Sequence, residues 1–291
     1  MSDSRKRGGP FMSYGPAPWQ QTHWDWRAAG NFICGGAGSG LIVFTAIAGV
    51  GGTALAALML AGLALVGLGL FCVWLEIGRP LRALRVFVNP RTSWMSREAF
   101  VATLLFPAGL AAAAAVPGFV WMAAALALTF MYCQGRLLQG AKGIPAWRGP
   151  LVPPLIVATA LAEGAGVFFL LAPLHGNGRQ SLLVLFGALV LVRVVVWLAY
   201  RKRLATAAPR AHAALVRADR ILQLAGTLVP LGLIAAIGAG AVSGTQVALY
   251  AAIAGLAATA AGATVKYALV TRAAFNQGFA LRHLPVRGTR P

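Results

Sequence analysis

Acid is what this sequence has least of. Asp3, Asp25, Glu76, Glu98, Glu163 and Asp219 are the only acidic residues among 291, set against 25 lysines and arginines. Charged residues of both signs make up 11% of the chain, less than half of the roughly 25% found in soluble domains. The chain is 59% hydrophobic, with a mean hydropathy of +0.74. Most of such a surface must face lipid, which excludes a soluble enzyme before any motif is considered.

Histidine and cysteine are scarce as well. The four histidines, His23, His175, His212 and His283, all fall outside the apolar windows, so ligands for a transmembrane haem are missing. Cys34, Cys72 and Cys133 are isolated on three different spans, without the spacing of a zinc or iron–sulfur site. The three aspartates form no Ser/His/Asp set. The expectation is a chain with no haem and no metal of its own. If it takes part in redox chemistry, the metal centres belong to partner subunits.

What the sequence does have is a series of apolar runs about 20 residues long, at 30–49, 53–74, 98–115, 117–135, 150–172, 181–200, 221–241 and 245–270. The expected fold class is an all-α integral membrane protein of eight transmembrane helices. The segments at 1–29, 75–97, 136–149, 201–220 and 271–291 hold 22 of the 25 basic residues, while the alternate loops hold only Arg179. That asymmetry, rather than nucleic-acid binding, accounts for the net charge of +19 and places the basic loops and both termini in the cytoplasm. Trp19, Trp24 and Trp26 suit an interfacial segment leading into the first span, and no cleavable signal is expected there.

Gly36-Ala37-Gly38 recurs as Gly164-Ala165-Gly166 at an offset of 128, which also carries the second window onto the sixth and the fourth onto the eighth. The reading is two four-helix bundles as parallel repeats: 30–149, with a cytoplasmic loop at 75–97, and 150–270. Residues 1–29 precede them and a tail at 271–291 follows. The glycine-rich run at 34–40 suits close helix packing in lipid, with a flat wall for a planar ligand as the alternative.

The most polar stretch runs from Leu75 to Glu98. Arg79, Arg82 and Arg85 recur every three residues, as on one face of a short surface helix, and Ser96 is a plausible N-cap for the third span. Glu98 would then sit in a first helical turn, where the macrodipole favours an anion. Glu76, at a helix C-terminus, needs a cation such as Arg79 or Arg82. Two carboxylates and several arginines at membrane depth also suit a quinone, which needs an apolar slot, hydrogen bonds to its oxygens and a nearby proton carrier. Deeper in the membrane, Glu163 and Arg193 are expected to form an ion pair, because an unpaired charge there is costly. Lys266 is expected to snorkel.

Ile77-Gly78-Arg79-Pro80-Leu81-Arg82 and Ser93-Trp94-Met95-Ser96-Arg97-Glu98 resemble the signature of the DMSO-reductase anchor-subunit family (DmsC-type, within the wider NrfD/polysulfide-reductase group). In that family a Leu-Gly-x-Pro-x-Arg turn precedes a Ser-Trp-x-Ser-x-Glu helix start. The Met131-Tyr132 to Trp147 stretch is similar too. The resemblance implies a membrane anchor, in the inner membrane of a bacterium, with a menaquinone or ubiquinone site. It also implies an iron–sulfur partner subunit that contacts a molybdenum or tungsten pterin catalytic subunit.

By the same resemblance Glu98 is the site carboxylate; Glu76, Arg79, Arg82, Trp94, Ser96 and Tyr132 are the other residues expected at the site. Where the family often has a histidine, this chain has Glu76. Arg85, Arg91, Arg97, Arg136 and Trp147 are the expected docking residues. The competing readings are a small-molecule transporter built around Glu163 and a purely structural anchor without quinone.

Overall fold

The structure, a computed structural model, describes residues 18–77, 80–176 and 179–277, with only the backbone of residues 80–82. Eight long helices follow one another: α1 Trp26–Ala48, α2 Gly52–Trp74, α3 Trp94–Ala113, α4 Phe119–Gly140, α5 Val152–Leu170, α6 Gln180–Ala207, α7 Val216–Gly238 and α8 Thr245–Arg272. Six of them are long and apolar enough to cross a membrane. The other two, α3 and α4, carry polar ends. Arg97 and Glu98 sit near the start of α3, and Gln134, Arg136 and Gln139 near the end of α4.

The helices outrun the apolar windows because backbone hydrogen bonding continues past the apolar limit. α6 runs through Arg201, Lys202 and Arg203. There Arg201 ties the helix to the His212 carbonyl (2.5 Å) and to Asp219 (3.4 Å). The α3 start moves for the same reason. Ser93, not Ser96, is the N-cap, its hydroxyl accepting from the Ser96 amide at 3.3 Å. Glu98 is therefore the fifth helical residue, beyond the first turn where the macrodipole acts, so the dipole account of its charge does not hold.

Two helices form the spine. In α1 and α5 the apolar windows are 83% and 78% buried, against 22–39% in the other four apolar helices. One apolar core joins α1 to α2, α3 and α4 through Ile42, Met59, Leu105 and Phe130. A second joins α5, α6 and α8 through Phe168, Phe186 and Ala254, and takes Leu41 and Phe44 from α1.

The spine depends on glycine. A Cβ on Gly164 would strike the Gly40–Leu41 backbone, and one on Gly40 would strike the Ala160 carbonyl. Gly38 meets α2 at Gly62 in the same way. The glycine run thus packs helix against helix, as small residues do in lipid. Gly164→Val is expected to destabilise the protein by about 3 kcal/mol or more, the upper range for overpacking a closed site. Thermal unfolding in detergent would read the loss.

Three π-helical turns interrupt the regular winding: Asn31–Gly35 in α1, Leu224–Leu228 in α7 and Ala268–Arg272 at the end of α8. Such a turn releases main-chain carbonyls from the usual ladder. At each of the three, side chains from elsewhere take them up. Gln134 donates to the Asn31 carbonyl (2.9 Å) and Lys266 to that of Phe32 (2.8 Å). Arg193 donates to the Gly226 carbonyl, and Trp147 to that of Leu269 (2.8 Å).

The segments flanking α1 and α8 meet at one end of the molecule. Gln20 and Phe275 form an antiparallel bridge, and the Gln21 amide donates to the Ala274 carbonyl at 2.9 Å.

Candidate functional site

The segment between α2 and α3 folds over the ends of both. Residues Pro80–Val88 form a 3-10 helix whose three-residue period sends Ala83, Val86 and Phe87 inward and leaves Arg85 exposed. After it, the Ser93 amide donates to the Asn89 carbonyl (3.1 Å), turning the chain into α3. Arg79 lies outside the described residues, as does the side chain of Arg82.

Beneath this cover is a cavity of about 520 Å³, within the 300–1,000 Å³ common for small-molecule sites. Ala28 and Phe32 of α1, Leu70 and Val73 of α2 and Phe87 of the 3-10 helix make it largely apolar. Trp24 and Trp74 also border it. Its polar groups are Glu76, Glu98 and Asn31. Period 3.6 selects which α3 residues reach it, so Met95, Glu98 and Ala99 line one face.

Trp94, Ser96 and Tyr132 do not line it, contrary to expectation. Ser96 is 3% exposed and belongs to the cap. Trp94 packs edge-on against Tyr132 of α4, with ring centroids 6.0 Å apart.

Glu98 is 4% exposed. Asn31 donates to its Oε1 at 3.1 Å, and Asn31 is itself positioned by Gln134 through the π-turn carbonyl. The ion pairs among the described residues are Asp25–Arg27, Asp219–Arg201 and Glu163–Lys266, so none involves Glu98. A carboxyl group that faces an apolar cavity with an amide rather than a cation for company can exist charged or neutral, and can therefore exchange a proton with a bound molecule.

Glu76 sits at the mouth, half-buried. Burial raises its pKa, opposed by the positive charge of Arg27. Arg27 is fixed by Asp25 at 2.9 Å and donates to the Leu75 carbonyl at 3.0 Å. Sequence reasoning missed both Arg27 and Asn31. An asparagine beside a glycine-rich apolar span was the one signal available.

Deeper in the molecule, Glu163 does not pair with Arg193. Its partner is Lys266, at 2.5 Å, and both side chains are buried. Arg193 instead donates to the Ala258 carbonyl (2.7 Å) and to that of Gly226. The two side chains face different neighbours. Glu163 points at Gly262 of α8, and the Lys266 ammonium that meets it lies against Gly36 of α1, whereas Arg193 points toward α7 and α8. Lys266, wholly buried, does not snorkel. The free carboxylate on which a transporter reading rested is thus taken up.

Among the expected docking residues, Arg85 and Arg91 are exposed and Arg97 and Arg136 half-buried. Trp147 is 1% exposed, packed at a tilt against Trp24 with ring centroids 4.8 Å apart, and it donates to the Leu269 carbonyl. It closes the interior at that end and is not a docking residue. Neither protein-family models nor curated proteins yield a match to this chain.

Proposed function

We propose that this chain is the quinone-binding membrane anchor of a multi-subunit oxidoreductase and that the cavity between Glu76 and Glu98 is its quinone site. The observation that carries this reading is Glu98: a buried, amide-held carboxyl without an ion-pair partner among the described residues, facing an apolar cavity of about 520 Å³. The resemblance of the 77–82 and 93–98 segments to the DmsC-type anchors points the same way. On this reading all eight helices span the membrane as two parallel-repeat bundles. The chain lies in a bacterial inner membrane with its termini cytoplasmic.

A quinone held there would carry electrons together with protons. The chain's own part is to bind, orient and protonate. Phe32, Val73 and Phe87 supply apolar walls, Asn31 keeps the Glu98 carboxyl directed at the cavity, and Glu76 at the mouth stands between Glu98 and water. Electrons would come from or go to an iron–sulfur subunit docked on the exposed arginines. That subunit would in turn serve a molybdenum or tungsten pterin catalytic subunit.

A photoreactive quinone analogue tests the site in the purified chain. Adducts are expected on cavity residues such as Leu84, Phe87 and Met95, and unlabelled quinone should suppress them. Adducts confined to other helices, or insensitive to competition, would overturn the assignment.

A further inference from the structure

Where the start of α3 meets the end of α4, beside the cavity, two guanidinium groups share one indole ring. Arg97 lies 4.1 Å from the Trp94 ring centroid and Arg136 lies 4.7 Å from it. Both therefore sit within about 9 Å of each other, where like charges repel. Their hydrogen-bond partners are neutral. Arg97 donates to the carbonyls of Pro90 (2.9 Å) and Arg91 (2.7 Å), and Arg136 donates to the Tyr132 hydroxyl (3.2 Å). The Nε of Arg136 is buried and lacks a partner among the described residues. No ion pair among those residues involves either arginine. The arrangement has a place for an anion and no acidic side chain supplying one.

The surface leading up to it identifies the kind of anion. Trp121, Ala125, Leu128, Tyr132 and Arg136 recur at helical spacing along one exposed face of α4, with Trp121 63% and Tyr132 43% exposed. From Trp121 to Tyr132 that apolar stripe is about 16 Å long, close to half the roughly 30 Å hydrocarbon core of a bilayer. A phosphate joined to an apolar chain one leaflet deep matches both halves of the surface. An acidic peptide would match only the arginines.

We propose that Arg97, Arg136, Trp94 and the α4 stripe bind an anionic phospholipid of the leaflet on that side. The phosphate would sit against the guanidinium pair and an acyl chain along Tyr132, Leu128 and Trp121. The proposal rests on reading α4 as a membrane span, and it is independent of whether the cavity binds quinone. Because the same face carries Trp94 at the start of α3, the lipid would brace the helix that presents Glu98.

The test is a lipid titration of the purified full chain in detergent, read by thermal unfolding and by native mass spectrometry. Phosphatidylglycerol is expected to raise the midpoint and to remain bound, while phosphatidylcholine does so weakly. The Arg97→Gln/Arg136→Gln variant should lose apparent phosphatidylglycerol affinity by about ten-fold or more. Arg203→Gln, an exposed arginine elsewhere, should not. The lipid-free midpoint of the double variant checks that it folds. Equal affinity in the double variant, or no preference for the anionic lipid, would overturn the proposal. So would stabilisation by inorganic phosphate matching that by the lipid, or an acidic peptide competing as well as the lipid.

Ala125→Cys, made in a background without Cys34, Cys72 and Cys133, separates this outcome from the topology. Labelling of the introduced thiol by a membrane-impermeant maleimide in liposomes would overturn the span reading and the proposal with it. Protection combined with absent lipid preference would overturn the proposal alone.

Discussion

Lys266→Met should be among the most damaging single substitutions in the protein, with an expected loss of about 3–5 kcal/mol. The lysine is wholly buried and carries two contacts, to Glu163 at 2.5 Å and to the Phe32 carbonyl at 2.8 Å. Its removal leaves a buried carboxylate without its counter-charge and takes the side-chain donor from a π-turn carbonyl. Methionine keeps most of the volume, so the loss measures charge and hydrogen bonding rather than packing. Glu163→Gln/Lys266→Met together should be milder than the sum of the singles, because neither partner is then stranded. Thermal unfolding of the four proteins in detergent completes the cycle. The corresponding cycle between Glu163 and Arg193 should show a smaller coupling, since Arg193 donates to the Ala258 and Gly226 carbonyls and not to Glu163. A larger coupling to Arg193 than to Lys266 would contradict the arrangement described.

This pair also marks the limit of what the sequence disclosed. Apolar windows located every long helix, because a run of about 20 apolar residues has few other uses. The windows could not give helix ends. At Trp94 and Ala207 the ends are decided by a serine cap and by Pro209, which holds Ala208 out of the helical region, not by hydropathy. Facing was less legible still. Counting depth placed Glu163 and Arg193 at one level, but a helix packed on all sides has no polar face to show which way a charge points.

The π-turns were invisible for a related reason. Asn-Phe-Ile-Cys-Gly, Leu-Ala-Gly-Thr-Leu and Ala-Leu-Val-Thr-Arg share no pattern. What they share is a donor on another helix, or on a loop in the case of Trp147. In the candidate site, the 75–98 stretch announced Glu76 and Glu98 by their rarity. Asn31, which directs Glu98, lies 67 residues away, and only the fold brings it near. Trp94 and Tyr132 were drawn in by motif, yet their rings pack against each other and neither lines the cavity.

If the cavity is the quinone site proposed above, Glu98→Gln is the second large effect expected, and it separates binding from chemistry. Glutamine is nearly isosteric and can still meet Asn31, so the cavity and the fold should persist, with a thermal midpoint close to that of the parent. Quinone affinity should fall by no more than about ten-fold, the equivalent of one altered hydrogen bond. Turnover with a short-chain quinone in the assembled complex should fall far more, by about 10²–10⁴-fold, because glutamine cannot take or give a proton.

The loss should appear whichever way electrons run, since either direction needs the carboxyl to change protonation state. Glu76→Gln gives the contrast. Burial raises the Glu76 pKa, so it holds its proton to a higher pH than a free carboxylate does. If it relays protons out of the cavity, it must be ionised to accept them, and the rate should fall as pH drops through that raised pKa. Glutamine would remove this acid limb from the profile while leaving a lowered plateau. A Glu98→Gln complex that turned over at the parental rate would remove the carboxyl from the mechanism. An acid limb unchanged in Glu76→Gln would confine that residue to the charge balance around Arg27.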